Sequence, residues 1–198
     1  MSIVLAIAGL ALRSGYMIRT SDQQIFMVYN SGRYSLYSFI SGNSNYIVSG
    51  REQDFEAGLV PYAASRTALF LNTGNVSIVT VAEMLDCETA GLTRPYYVKG
   101  RFVDFNGYRI YFAGSNETGP RHASYPVHVD LLVISSEFSS GLSDICTKVS
   151  PDKVIIDSSV PFYLRTKFIK QCMELGLNYH DVRGSGAFTT SVHQVPGV

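Results

Sequence analysis

The stretch from Val129 to Phe188 limits the possible folds most. Val-Asp-Leu-Leu-Val-Ile-Ser-Ser opens it, a helix-like run follows, then Lys-Val-Ile-Ile-Asp-Ser-Ser-Val-Pro, a second helix-like run, and His-Asp-Val-Arg-Gly-Ser-Gly-Ala-Phe. Short β-branched apolar runs separated by longer helical segments are strands crossed over by helices, and crossovers of that length make neighbouring strands parallel. The first two runs end in polar residues, Ser135 and Ser136 in one and Asp157, Ser158 and Ser159 in the other. Open sheets of this kind carry their sites beyond the carboxyl ends of the strands, so these residues lie where chemistry is expected.

The preceding part of the chain is strand and turn. Ile25–Tyr29 ends at Asn30-Ser31-Gly32, the alternating Tyr34–Phe39 ends at Ser41-Gly42-Asn43, and Tyr46–Val48 ends at Ser49-Gly50; three strands on two tight turns form an antiparallel meander. Arg51 to Arg66 reads as helix interrupted at Pro61. Ala68–Leu71 and Val76–Val79 read as strands around Thr73-Gly74-Asn75, and Leu85 to Pro95 as a solvated loop. Phe102–Phe105 and Tyr108–Phe112 flank Asn106-Gly107, a strong hairpin signal. Ser115 to Pro126 is a polar loop, and Val192 to Val198 a flexible tail. The expected fold class is therefore α/β: mixed sheets with outer helices, an antiparallel N-terminal half and a βαβαβ C-terminal half.

At 198 residues the chain suits one domain. Its 16 basic and 16 acidic residues cancel, so the chain as a whole carries no basic footprint for nucleic acid, and only a local patch could supply one. Cys87, Cys146 and Cys172 are odd in number and widely spaced, which excludes a disulfide framework or a zinc knuckle and points to free thiols. Met1 to Leu12 is apolar but too short to span a bilayer, which takes roughly 20 residues. Two readings stay open for it: the end of a transmembrane helix with Arg13 and Arg19 on its cytoplasmic flank, or an amphipathic helix packed on the domain. Residues 1–20 are set apart on this basis, with 21–191 as the domain.

Tyr-Asn-Ser-Gly-Arg-Tyr-Ser at 29–35, Asn-Tyr-Ile-Val-Ser-Gly at 45–50, the hairpin Phe105–Gly114, and the block with Val-Ile-Ile-Asp-Ser-Ser-Val-Pro at 154–161 and His-Asp-Val-x-x-x-Gly-Ala-Phe at 180–188 resemble the C-terminal part of ComEC-type competence proteins. The likeness is nearest to their Bacteroidetes-like branch and covers about residues 20 to 190. It implies a metallo-β-lactamase-like fold attached to an inner-membrane DNA-uptake channel, on its cytoplasmic side. The implied partners are the membrane portion of the same parent chain and single-stranded DNA.

The departures bear on mechanism. Catalytic members of that fold hold two metals with a His-x-His-x-Asp-His cluster, because imidazole and carboxylate ligands must lower the pKa of a bridging water. No histidine lies between Gly50 and Pro95, the hairpin ends in Gly114-Ser115 instead of Gly-Asp, and Ser135-Ser136-Glu137-Phe138 stands where His-His-Gly-Ser is usual. No metal ligands, no catalytic residues and no cofactor are therefore expected. Ser115, Ser136, Asp157, His180 and Asp181 remain as residues of a vestigial cleft. His122 and His128 read as surface residues in or beside a Pro-rich loop, and His193 falls in the tail. Ser135, Ser136, Ser158 and Ser159 read as helix caps, as does Asp157 for a helix starting near Pro161. Arg165, Lys167 and Lys170 on the second helix, with Arg183 in the loop after it, are the candidate DNA contacts.

Three functions compete on this sequence: a non-catalytic scaffold or single-strand guide at the channel mouth, a hydrolase or nuclease built on Ser136, Asp157 and His180, and a protein-interaction domain unrelated to DNA.

Overall fold

The structure, a computed structural model, describes residues 22–50, 65–67, 69–71, 73–86, 95–114 and 126–192. The readings made for Met1–Leu12, residues 51–64, Cys87, Ser115, His122 and His193 lie outside these residues.

Two mixed sheets face each other. The first has the order β11-β1-β2-β3-β4, with β1 Gln24–Val28, β2 Leu36–Ser41, β3 Ser44–Ser49, β4 Asn75–Thr80 and β11 Phe188–Ser191. The second has the order β10-β9-β8-β7-β6-β5, with β5 Tyr96–Lys99, β6 Phe102–Phe105, β7 Tyr108–Ala113, β8 Val127–Ile134, β9 Val149–Ile156 and β10 Tyr179–Asp181. The helices are α1 Val81–Asp86, α2 Leu142–Cys146, α3 Phe162–Glu174 and the single turn α4 Val182–Ser185.

The meander of the first sheet forms as its turns require, and β4 then joins parallel to β3. In the second sheet β5, β6 and β7 are antiparallel, whereas β7, β8, β9 and β10 run parallel. Asn106 (φ 54°) and Gly107 (φ 84°) both take left-handed backbone at the β6–β7 turn, the geometry a two-residue hairpin needs to match strand twist. Asp104 accepts from Gly107 N at 2.7 Å, and Asn106 Nδ2 donates to Gln24 Oε1 at 2.7 Å, tying the turn to the first sheet.

Strand alternation divides the core into two layers. Between the sheets lie Phe26, Val28, Tyr37, Phe39 and Val48 from the first and Phe105, Ile110, Phe112, Leu131, Val133 and Ile155 from the second. On the other face of the second sheet Tyr111, Leu132, Ile134, Val154 and Ile156 pack with Leu142 and Ile145 of α2 and Phe168 and Cys172 of α3. The C-terminal halves of β8 and β9, Leu131 to Ile134 and Val154 to Ile156, are thus covered on both faces, which is why they are continuous apolar runs instead of alternating ones.

Three details differ from expectation. Residues 69–71, read as strand, are helical, as are 65–67. Phe188–Ser191 forms an edge strand paired antiparallel with β1, from Ile25↔Ser191 to Val28↔Phe188. Val192, placed in the tail, is buried and its N–H donates to Gln24 O at 2.7 Å, so the packed body extends through it.

Candidate functional site

A cleft of about 540 Å³ opens beyond the carboxyl ends of β8 and β9, between the two sheets. Ser135, Ser136 and Glu137 after β8, together with Ser159 and Pro161 after β9, form one side. Arg33, Tyr34 and Ser35 from the β1–β2 loop form another, Arg101 enters from the β5–β6 turn, and Arg183 comes from α4. Tyr37, Phe112 and Val133 close the floor.

The polar groups after β9 build the mouth. Asp157, 1% exposed, accepts from Tyr37 Oη at 2.6 Å, Ser159 N at 2.8 Å and Ser159 Oγ at 2.5 Å. Ser159 Oγ in turn receives Ser136 N at 2.9 Å and the Ser35 hydroxyl at 3.0 Å. Ser31 N donates to Ser158 Oγ at 3.1 Å, and the Ser158 hydroxyl faces Tyr34 O at 3.3 Å and Tyr29 O at 3.4 Å. These bonds hold the β1–β2 loop, and with it Arg33, against the end of β9. Burial raises the Asp157 pKa above its usual range, against the opposing effect of the hydrogen bonds from Ser159, Tyr37 and Ser35. Burial, reinforced by the neighbouring Asp157 charge, pushes Tyr37 well above the ordinary phenol value.

The expected helix caps are replaced by this network. Gly141 and Pro161 occupy the N-cap positions of α2 and α3, each without a side-chain bond. Asp157 closes its own turn, with Val160 N reaching Asp157 O.

Arg101 is placed by an unusual glycine contact. Its guanidinium lies so close to Gly114 that a Cβ there would overlap it, and its Nη1 reaches Phe112 O at 3.4 Å. Gly114 has no positive φ, so the position favours glycine for the space it leaves and not for backbone freedom.

The sequence matches the family described as the ComEC C-terminal domain over residues 26–192. The chain belongs to the ComEC C-terminal domain family. Comparison with curated proteins and with solved structures gave no match. The ComEC family is membrane-associated and takes part in DNA uptake during competence. Among the described residues no helix of this ComEC domain is long and apolar enough to cross a membrane.

The residues singled out in the sequence of the ComEC domain disperse. Ser136 lines the cleft and Arg183 does too, whereas Asp157 sits beneath it. His180 is directed elsewhere: its Nε2 is 2.9 Å from Gly186 O and its ring stacks obliquely on Phe188. Neither Asp157 nor His180 lines the cleft beside Ser136, so the structure does not assemble those three as a hydrolytic site. Asp181 and Arg165 form a two-pronged ion pair, Nε–Oδ1 at 2.8 Å plus Nη2–Oδ2. Burial alone would raise Asp181; the Arg165 guanidinium, joined by the backbone N–H groups of Gly184 and Arg183, more than reverses this and holds the carboxyl below its usual range. Arg165 is therefore committed to the fold. Lys167 and Lys170 are exposed on α3, the latter 3.6 Å from Glu174 in a surface pair of little energetic weight. His128 is exposed, as read, between Arg109 and Asp152. Cys172 is a buried free thiol, pushed by burial and then by Cys146 up to about 11.

The described residues of this cleft do not form a metal centre. Its described lining offers one carboxylate, Glu137, and no imidazole. Among the described residues no group of three or more His, Cys, Asp or Glu side chains could hold a metal ion. Sequence reasoning missed Arg33 and Arg101. The available signals were the Ser-Gly-Arg turn that follows β1 and an arginine placed next to the Gly100 turn.

Proposed function

We propose that this domain is a non-catalytic, metallo-β-lactamase-like part of a ComEC-type uptake channel that guides single-stranded DNA along α3. The carrying observation is a stripe on that helix. Tyr163, Lys167 and Lys170 are all exposed and spaced four and three residues apart, so they share one face. The helix starts at Pro161 on the cleft rim, and Phe162 and Tyr163 next to it are each 71% exposed. Lysines that neutralise phosphates beside aromatic rings that stack bases are the parts from which sequence-independent single-strand sites are made. A chain with no net charge then presents a basic, aromatic track in one place. The reading also puts the domain on the cytoplasmic side of the inner membrane, beside the membrane portion of the same parent chain.

Binding of a fluorescent oligothymidylate, followed by anisotropy across a salt series, tests this. Affinity is expected to fall as salt rises, and K167E/K170E should flatten that dependence, since each lost phosphate contact removes about 0.7 from the slope for single strands. Salt-independent binding, or an unchanged slope in the double variant, would refute the guide. Stoichiometric zinc or manganese in the purified protein would refute the non-catalytic part.

A scaffold component is favoured by a second cavity, of about 560 Å³, on the outer face of the first sheet. Ile25, Met27, Leu36, Phe70 and Leu71 make it largely apolar, and Leu69 and Phe70 beside it are 81% and 72% exposed. Exposed apolar surface of this kind marks contact with another protein or with a membrane-facing segment.

A further inference from the structure

We propose that the cleft beyond β8 and β9 is a phosphate pocket for one or two nucleotides of single-stranded chain, with Arg33, Arg101 and Arg183 as its donors. The inference rests on the DNA-guiding reading for the identity of the ligand, but its geometry is separate from the α3 stripe. The described lining carries three arginines against one glutamate, Glu137, a surplus of two positive charges in a chain whose 16 basic and 16 acidic residues cancel. The three arginines come from a loop, a turn and a helical turn far apart in sequence and line one concavity. Among the described residues neither the Arg33 nor the Arg183 side chain forms an ion pair with a carboxylate. Guanidinium forks match phosphate oxygens in geometry as well as charge.

Two of the three arginines are positioned by their surroundings. Arg33 belongs to the loop that Ser158 and Ser159 fasten. Arg101 lies flat in the space Gly114 leaves. Half-buried Tyr34 on the wall is the aromatic ring open to a base, above the buried Tyr37 and Phe112. About 540 Å³ falls within the range of small-ligand sites and is far too little for a duplex. The carboxylate of Asp157 does not oppose the anion, because it is buried beneath the mouth with its oxygens taken up by Tyr37 and Ser159.

The test titrates inorganic phosphate, thymidine monophosphate, and di-, tetra- and octathymidylate into the full chain, followed by calorimetry and by amide chemical shifts. The pocket requires shifts at Arg33, Arg101, Ser136 and Arg183. It also requires most of the affinity to be reached by the dinucleotide. R33Q, R101Q and R183Q should each weaken dithymidylate about tenfold, with melting temperatures recorded to verify folding. Gly114→Ala, which keeps all three arginines but displaces the Arg101 guanidinium, should reproduce part of the R101Q loss. Arg→Lys variants should recover only part of it, since they keep the charge and lose the fork. If the triple glutamine variant folds and binds octathymidylate as the unaltered chain does, the pocket is overturned while DNA guidance along α3 stands. If phosphate and the monophosphate shift the cleft but no oligonucleotide binds more tightly than they do, the pocket stands and the guiding function falls. Affinity that grows evenly with oligonucleotide length, with no shifts in the cleft, overturns the pocket.

Discussion

Asp157 and Asp181 are both shielded from solvent, yet burial and pairing set them in opposite directions. Asp157 has a raised folded pKa. Its neutral form stabilises the fold fully below the ordinary carboxylate range, and that contribution is lost as pH rises toward the folded value. Asp157→Asn should therefore gain on the unaltered protein as pH rises from about 4 to about 7, measured by urea denaturation across pH. Asp181 has a lowered folded pKa, so its contribution is present above the ordinary range and lost as pH falls through the folded value. Removing its partner by Arg165→Ala leaves a nearly buried carboxylate held only by the backbone N–H groups of Gly184 and Arg183. The expected cost is about 2–3 kcal/mol at neutral pH, below the 3–5 typical of fully buried pairs because Arg165 keeps 21% of its side chain exposed. The loss should fade as pH falls into the acid range. A pH-independent loss would show that Arg165 acts through packing alone.

At the level of elements, α1 illustrates how much a short helix depends on its first turn. Thr80 Oγ1 accepts from Glu83 N at 3.1 Å while Glu83 Oε2 accepts from Thr80 N at 2.7 Å, a reciprocal box that satisfies two otherwise orphaned donors. Thr80→Ala should cost about 1 kcal/mol by chemical denaturation, and a cost near zero would mean that the packing of Met84 alone holds the helix. Elements with a strong local rule were legible in the sequence. The βαβαβ block showed in the apolar runs that end β8 and β9, where both faces of the sheet are covered, and the Asn106-Gly107 turn showed because few other residues take two left-handed conformations in succession. Residues 69–71 were not legible: Leu-Phe-Leu is too short to display any period, and a helix and a strand read alike over three residues. Phe188–Ser191 was hidden for a different reason. Its polar side chains and flanking Gly186 resemble loop, and only pairing with β1 makes it a strand.

Over the whole molecule, the candidate cleft was half legible. Sequence order put Ser135, Ser136 and the residues after Ile156 on the correct edge, because parallel strands end together. Arg33 and Arg101 could not be placed there, since what brings them together is the facing of two sheets, a relation that leaves no local pattern. Ser158 and Ser159 were read as caps because a serine before a helix usually is one. In this fold they reach across the sandwich to residues more than 120 positions earlier.

The pairing of the first described strand with the last has a kinetic meaning. During synthesis β1 can form its hairpin with β2 early, but its other edge has no partner until Phe188 to Val192 has left the ribosome. Ser31, Ser35 and Tyr37 likewise wait for residues 157–159. Contacts of such long range form slowly because the loop they close must be immobilised first. Until then the nascent chain exposes an open strand edge, the kind of surface on which neighbouring chains join. The final strand thus acts as the closing seam of the molecule: in pulse-labelled hydrogen exchange the β1 amides that face β2 should be protected with the hairpin, and those that face β11 only when β11 arrives.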